Sequence, residues 1–190
     1  MCFTPTSAAT GAAEPMSAER RILLLRGVNV GGVTLPMAGF RAMLADLGMV
    51  NVRTHIQSGN AVFDDPQRDD PGPRIADALQ ARFGLRPELF LYTPARFAAI
   101  CAQNPFLAEA EADGARVHAL FLARPAPLPD EAAALATTER LHLTDDALFL
   151  HAPDGIGRSK LFERLPRLLP VPQTARNWNT VRAILALAAA

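Results

Sequence analysis

Charge of one sign, cysteine, long apolar runs and aromatic rings are all scarce in this 190-residue sequence, and each shortage excludes something. The 19 Lys and Arg balance 19 Asp and Glu. A chain with no basic excess is not built to coat nucleic acid or an anionic membrane surface, although a local basic cluster stays open. Two cysteines, Cys2 and Cys101, make neither a disulfide framework nor a paired ligand spacing, so a reducing, cytoplasmic compartment is the natural expectation. The histidines, His55, His118, His142 and His151, lack any H-E-x-x-H or Cys/His spacing. No zinc site is expected, and nothing in the chain asks for another metal or a cofactor. No apolar stretch approaches the ~18 residues that cross a bilayer. The N-terminus has no basic segment followed by an apolar one, so it does not read as a secretory signal. Residues 1–18 are rich in Ala, Thr, Ser and Pro, which predicts a disordered extension, and Met16 stands where an alternative start would fall.

Apolar residues make up 49% of the chain, ample for a buried core, and they recur at telling intervals. Residues 21–26 form an apolar run before glycines, as a central strand does. Pro36 opens a helix with Met37, Phe40, Leu44 and Leu47 on one stripe, and Gly48 ends it. Residues 52–56 alternate, setting Val52, Thr54 and Ile56 on one face. The polar turn at 57–60 joins them to residues 61–63 as a β-hairpin. After Asp69-Asp70, read as a helix-entry cap, a helix carries Ile75, Leu79 and Phe83 to Gly84. A strand follows at 88–92, and Thr93-Pro94 start another helix. The order through Tyr92 is βαββαβ, the ferredoxin-like unit.

The same order returns with other residues. A strand at 116–122 leads through a Pro-rich loop to a helix near Pro129. A two-residue turn at Asp145-Asp146 would pair Leu143 with Leu148 and Leu141 with Leu150 on an apolar face. Arg140, His142, Phe149 and His151 would then share the face away from the helices. A helix from about Arg158 carries Leu161 and Leu165 until Pro166 breaks or kinks it. A short strand near 174–176 precedes a final helix with Trp178, Val181, Ile184, Leu185 and Ala188. The chain is therefore read as α+β: two successive ferredoxin-like halves, 19–108 and 115–190, with a C-terminal helix. The boundary is set around Ala108–Ala115. The repeat is visible in element order and not residue by residue.

Polar, Gly-rich segments interrupt this pattern at Arg26–Gly32, Gln57–Asn60, Gly157–Leu161 and Arg176–Thr180, and an Asn-Pro-Phe element stands at 104–106. Together they resemble a bacterial family described as domain of unknown function 1697, with its segments RGINVGG, IQSGN, NPF, GRSKL and RNWNT in this order. The resemblance covers about residues 20–188. Ala175 stands where the family usually has Thr, and Pro166 interrupts a helix expected to be continuous. The resemblance implies fold and compartment and carries no biochemical activity.

Each segment has a functional and a plain reading. In the first, Arg26 ends a strand while Asn29, Gly31 and Gly32 lie in a turn that feeds a helix. Such a turn can offer N–H groups to an anion, or can simply be tight. The spacing is not that of a dinucleotide fingerprint. Gln57, Ser58 and Asn60 can contact a ligand or satisfy a hairpin tip. Ser58 lacks the elbow and base of a nucleophile. Arg158, Ser159 and Lys160 fail the phosphate-loop pattern, yet they put two cations at a helix start, where the dipole disfavours them. Either a ligand or a nearby acidic side chain would explain that. Arg176, Asn177 and Asn179 surround Trp178, whose own place is the core.

The reading that follows is a binding protein for a small phosphorylated or carboxylated anion. Its site lies between the halves, where Arg26, Arg158, Lys160 and Arg176 converge. No catalytic residue is assigned. A phosphate-ester hydrolase or transferase is the alternative, without an assignable nucleophile, base or metal cage. RNA binding on an open ferredoxin-like sheet is another, against the 6% aromatic content. A protein-interaction module whose motifs only stabilise turns is a third. No membrane partner is expected, and an uncapped sheet edge would allow a homodimer.

Overall fold

A computed structural model describes residues 18–32, 34–67 and 69–190. The extension expected over 1–18, with the start at Met16, lies outside these residues except for Ala18. Strand β1 (Glu19–Leu25) is apolar on both faces because both are covered: Ile22 and Leu24 enter one core, Leu23 and Leu25 another. The chain continues through α1 (Met37–Asp46), β2 (Val50–His55), β3 (Asn60–Asp65), α2 (Gly72–Phe83) and β4 (Leu89–Tyr92). Two helices follow, α3 (Pro94–Cys101) and α4 (Leu107–Ala112). Then come β5 (Val117–Leu122), α5 (Asp130–Leu135), β6 (Arg140–Leu143), β7 (Ala147–His151), α6 (Lys160–Leu168), β8 (Gln173–Asn177) and α7 (Trp178–Ala189). The sheets have the orders β2-β3-β1-β4 and β6-β7-β5-β8, all pairs antiparallel, which is the ferredoxin-like arrangement twice.

Five layers result. Helices α1 and α2 pack on the outer face of the first sheet through Phe40, Leu44, Ile75 and Leu79. Helices α5 and α6 cover the outer face of the second through Ala132, Leu161 and Leu165. Between the sheets lie α3 and α7, whose Phe97, Ile100, Trp178, Val181 and Ile184 share one core with Ile22, Leu24, Phe90, Ala119, Phe121 and Phe149. The halves thus have separate sheets but a common middle. Helices lie on both faces of each sheet, so the open platform required by the RNA alternative is not there.

Register makes the halves comparable residue by residue. Leu25 lies opposite Leu89 at one strand end, and Leu122 lies opposite Gln173 at the other. Stepping along, Phe90 corresponds to Thr174, Leu91 to Ala175 and Tyr92 to Arg176. In β3, Asn60 opposite Leu24 corresponds to Ala147 opposite Phe121. The equivalence continues into the helices. Thr93 caps α3 by accepting from the Arg96 N–H, and Asn177 caps α7 by accepting from that of Thr180. This repeat is hidden in the sequence because the equivalent positions hold chemically different residues.

The second hairpin has the expected register, with Leu141 opposite Leu150 and Leu143 opposite Leu148. Three expectations need correction. Ile56 does not join Val52 and Thr54: β2 ends at His55, and Ile56 turns outward at φ 49°, a costly conformation for a β-branched residue. Pro166 does not end α6, which runs to Leu168; in the last turn proline deprives only the Phe162 carbonyl of a donor. His142 and His151 do share a face with Arg140 and Phe149, but it turns toward the middle layer, where Arg140 pairs with Glu109 and lies over the Phe106 ring. Among the edge strands, β2 is blunted by a bulge between Val50 and Arg53, with Asn51 at φ 54° bonded to Asp64. No helix among the described residues is long and apolar enough to cross a membrane.

Candidate functional site

Strand β8 meets the end of β1 at a seam built around one cation. Arg176 is 6% exposed, and all five of its N–H groups are used. Nε donates to Asn60 Oδ1 at 2.5 Å. Nη1 donates to Thr174 Oγ1 at 2.8 Å and to the Ala175 carbonyl at 2.7 Å. Nη2 donates to the Leu25 and Ser58 carbonyls at 2.9 and 2.8 Å. The Thr174 hydroxyl adds a bond to the Leu25 carbonyl at 3.3 Å. No carboxylate among the described residues pairs with this guanidinium. Burial pushes its pKa down to about 10, so it keeps its charge at neutral pH. The result is a dry, uncompensated positive charge with no donor left to offer. It can attract an anion and cannot touch one.

The groups that can touch one lie beside it, at residues 26–32. Gly27, Asn29, Gly31 and Gly32 all have positive φ. Among the described residues no protein acceptor receives a backbone N–H from Gly27 through Gly32. Alternating backbone of this kind turns N–H groups toward a common concavity, which favours anions. The loop feeds α1, whose N-cap, Pro36, provides no side-chain cap, leaving the first-turn N–H groups open as well. Asn29 is spent on shape: Nδ2 donates to the Leu35 and Gln57 carbonyls, and Oδ1 accepts from the Leu35 N–H. Asn60 likewise bonds the His55 carbonyl, Ser58 Oγ and Arg176. Arg26 is exposed, and its guanidinium has no partner among the described residues. Together Arg26, Gly27, Val28, Val30, Ser58, Gln173, Thr174 and Arg176 line a cleft of about 310 Å³ between the halves. A second hollow of about 190 Å³ shares Arg26, Gly27 and Val28 and adds Arg86.

The fold contains a second junction equivalent to this seam, where β4 meets the end of β5. There Tyr92, Phe90 and Ala147 take the places of Arg176, Thr174 and Asn60. Tyr92 packs against Phe121 and Phe97, with ring centroids 5.9 and 5.7 Å apart. Burial and nearby Asp146 raise the Tyr92 pKa. Outside this stack an exposed Arg96–Asp146 ion pair closes the junction. Aromatic packing therefore suffices to join a last strand to a first-strand end in this architecture. The polar set at the β1–β8 seam is not demanded by the fold.

Arg158 and Lys160 do not reach that seam, contrary to the expected convergence. The loop after β7 leaves the second sheet where Val117 begins β5, opposite the end at Gln173. These two cations line a separate pocket of about 390 Å³ with Thr137, Thr138, Glu139, Asp154 and Ser159. Glu139 shares this pocket, but among the described residues no ion pair joins it to either cation. Ser159 caps α6 by accepting from the Phe162 N–H at 3.1 Å, and its hydroxyl donates to Glu139. Glu139 also accepts from the Thr137 N–H and hydroxyl and from the Thr138 N–H at 2.9, 3.0 and 3.2 Å. These donors, Ser159 foremost, pull its carboxyl pKa down to about 2. So acidic a group is a poor general base at neutral pH, which argues against Ser159 as an activated nucleophile. A depressed carboxyl pKa favours the folded state above its ordinary value of 4.5, and that contribution fades as pH falls toward 2. Glu139→Gln is therefore expected to flatten the acid limb of a thermal-stability profile between those limits and leave it unchanged in shape above pH 6. An identical acid limb would refute the assignment.

The remaining expected residues serve other ends. Asn177 caps α7, and Asn179 is exposed on its first turn, close to Gly114. Gly31 and Gly32 are exposed in the loop with open space at their Cβ positions. Gln57 is exposed and contributes its carbonyl to Asn29. Cys101 is buried and its thiol is pushed up to about 12, so it is no nucleophile. His118, on the helix-covered face of β5, is buried beside Phe162 with its pKa lowered by burial. Among the described residues no group of three or more His, Cys, Asp or Glu is placed to hold a metal ion. Two seam residues, Gln173 and Thr174, are not among those that the sequence motifs single out. Their signal is a short strand, QTARN, that is polar on both faces yet largely buried.

A family profile described as "Protein of unknown function (DUF1697)" matches residues 18–149. Among solved structures, the conserved bacterial protein SP0830 from Streptococcus pneumoniae is similar, with a TM-score of 0.67 and 24% identity over 90% of this chain and 98% of that one. At that identity the likeness concerns the fold. No curated protein matches the chain.

Proposed function

From the premise that the chain belongs to the family of unknown function DUF1697, we propose that it binds a small anion in the cleft between β8 and the Arg26–Gly32 loop. The observation that carries this reading is the contrast between two equivalent junctions, aromatic at Tyr92 and cationic at Arg176. Roles divide by geometry. Arg176 supplies a fixed positive field from a dry position, where charge acts strongly. Arg26 and the free N–H groups of the loop supply the contacts, as phosphate and carboxylate sites commonly do. Asn29 and Asn60 hold the loop and the hairpin in place. The pocket at Arg158 and Lys160 lies apart from this cleft, and its Glu139 carboxylate is engaged by Ser159, Thr137 and Thr138.

Calorimetry with inorganic phosphate, sulfate and simple carboxylates tests the proposal directly. Wild-type protein is expected to bind at least one of them, and Arg26→Ala to weaken binding about tenfold by removing one charge-assisted contact. Arg158→Ala with Lys160→Ala is expected to leave that affinity unchanged. Binding that ignores Arg26 but falls with the Arg158–Lys160 pair would move the site to the other pocket and end this proposal.

A further inference from the structure

The cleft does not end at Arg26. The smaller hollow beside it has Arg26, Gly27 and Val28 in its wall as well, and Leu85, Arg86 and Pro87 complete it. Both arginines are open to solvent. The Arg26 guanidinium has no partner among the described residues. Arg86, with its side chain 67% exposed, holds Asp77 at 2.9 Å. An ion pair as exposed as that is weak, so an anion in the hollow can compete for the guanidinium. Gly27, at φ +70°, has nothing within 4 Å of where a Cβ would stand, so the backbone shared by the two hollows is bare there. A single small anion near Arg176 would engage Arg26 and the loop N–H groups and leave Arg86 without a role.

We infer that the ligand is a diphosphate, with one phosphate in the cleft near Arg176, the other in the smaller hollow near Arg86, and Arg26 between them. This rests on the anion-binding reading and names the ligand class. A guanidinium carries five N–H donors in a planar fork, so Arg26 can meet oxygens of both groups. Phosphate is favoured over carboxylate at the loop because no protein acceptor among the described residues receives a backbone N–H from Gly27 through Gly32. That run offers more donors than two oxygens need, and the three oxygens of a terminal phosphate use them better.

The test measures inorganic phosphate and inorganic diphosphate by calorimetry on the full chain. Wild-type protein is expected to bind diphosphate about tenfold tighter, the worth of one added charge-assisted contact. Arg86→Ala is expected to bring diphosphate down to the phosphate affinity and to leave phosphate itself unchanged. The exposure of Arg86 keeps the fold out of that comparison. Arg82→Ala removes an equal charge outside the hollow, from the exposed pair with Asp46, and is expected to alter neither affinity. Asp77→Asn frees Arg86 and is expected to widen the preference about twofold, as befits a weak exposed pair. Arg26→Ala is expected to weaken both ligands. Charge alone would also favour diphosphate, but that preference would survive Arg86→Ala. Equal affinities in wild-type protein, or a preference that survives Arg86→Ala, would overturn the second phosphate position while leaving the anion site standing. Binding of neither ligand by wild-type protein would overturn both.

Discussion

Arg176→Met is expected to lower the unfolding free energy by about 4 kcal/mol, a large share of what holds a domain of this size folded. Methionine keeps most of the stem's volume and removes every donor. The Ser58 and Ala175 carbonyls and Asn60 Oδ1 then lose the guanidinium N–H groups they share; Leu25 retains only the long bond from Thr174. Each buried acceptor without a donor costs about 1–3 kcal/mol, partly offset by no longer burying a cation. Arg176→Lys should fall between, at about 2 kcal/mol, since an ammonium has three donors and no fork. Urea unfolding at constant pH reads both. A loss below about 1 kcal/mol for Arg176→Met would mean that the apolar middle layer alone joins the halves. A sharper version transplants the other junction: Asn60→Ala, Thr174→Phe and Arg176→Tyr together. Recovered stability with lost anion binding is the outcome that separates architecture from function at this seam.

Gly59→Ala is the second large effect, about 3 kcal/mol. Gly59 sits at φ +69°, and a Cβ there would lie 2.6 Å from Val28 Cγ2 and 2.8 Å from Leu25 Cβ. Conformational strain and overpacking therefore add. Gly31→Ala is the control: φ is +58°, but nothing lies within 4 Å, so only the strain of about 1 kcal/mol remains. The clash in Gly59→Ala also pushes Val28 and the loop off the hairpin, so anion affinity should fall with stability, whereas Gly31→Ala should spare the fold. Unfolding curves of the two variants that coincide would show that the hairpin tip does not press on the loop.

What can be read from sequence depends on how local the determining physics is. Leu141, Leu143, Leu148 and Leu150 announce their pairing because a two-residue turn and a period of two admit one register. Thr93 and Asn177 announce helix starts because a cap acts within three residues. Ile56 misleads because alternation says nothing about where a strand stops. The hairpin tip that follows it packs Gly59 against Leu25 and Val28, about thirty residues away in the chain. Arg26 and Arg176 are both recognisable as unusual, but their meeting depends on how one sheet lies on the other, which no local pattern encodes. Arg158 and Lys160 look equally promising, and their separation from the seam follows from the same long-range geometry. Glu139 draws no notice because nothing in its neighbourhood distinguishes a carboxylate that a distant serine will bind.

The sharing of one middle layer has a consequence for the order of events during synthesis. Helix α7 carries Trp178, Val181, Ile184 and Ala188 into a core lined by both sheets, yet it is made after every strand it covers. The first half can leave the ribosome with its hairpins paired and its outer helices docked, but Ile22, Leu24, Val62 and Phe90 must then wait with only α3 over them while the whole second half is added. At about 5–20 residues per second that wait lasts several seconds. A released chain that ends just before Trp178 would have every strand of both sheets but lack the helix that fills the space between them.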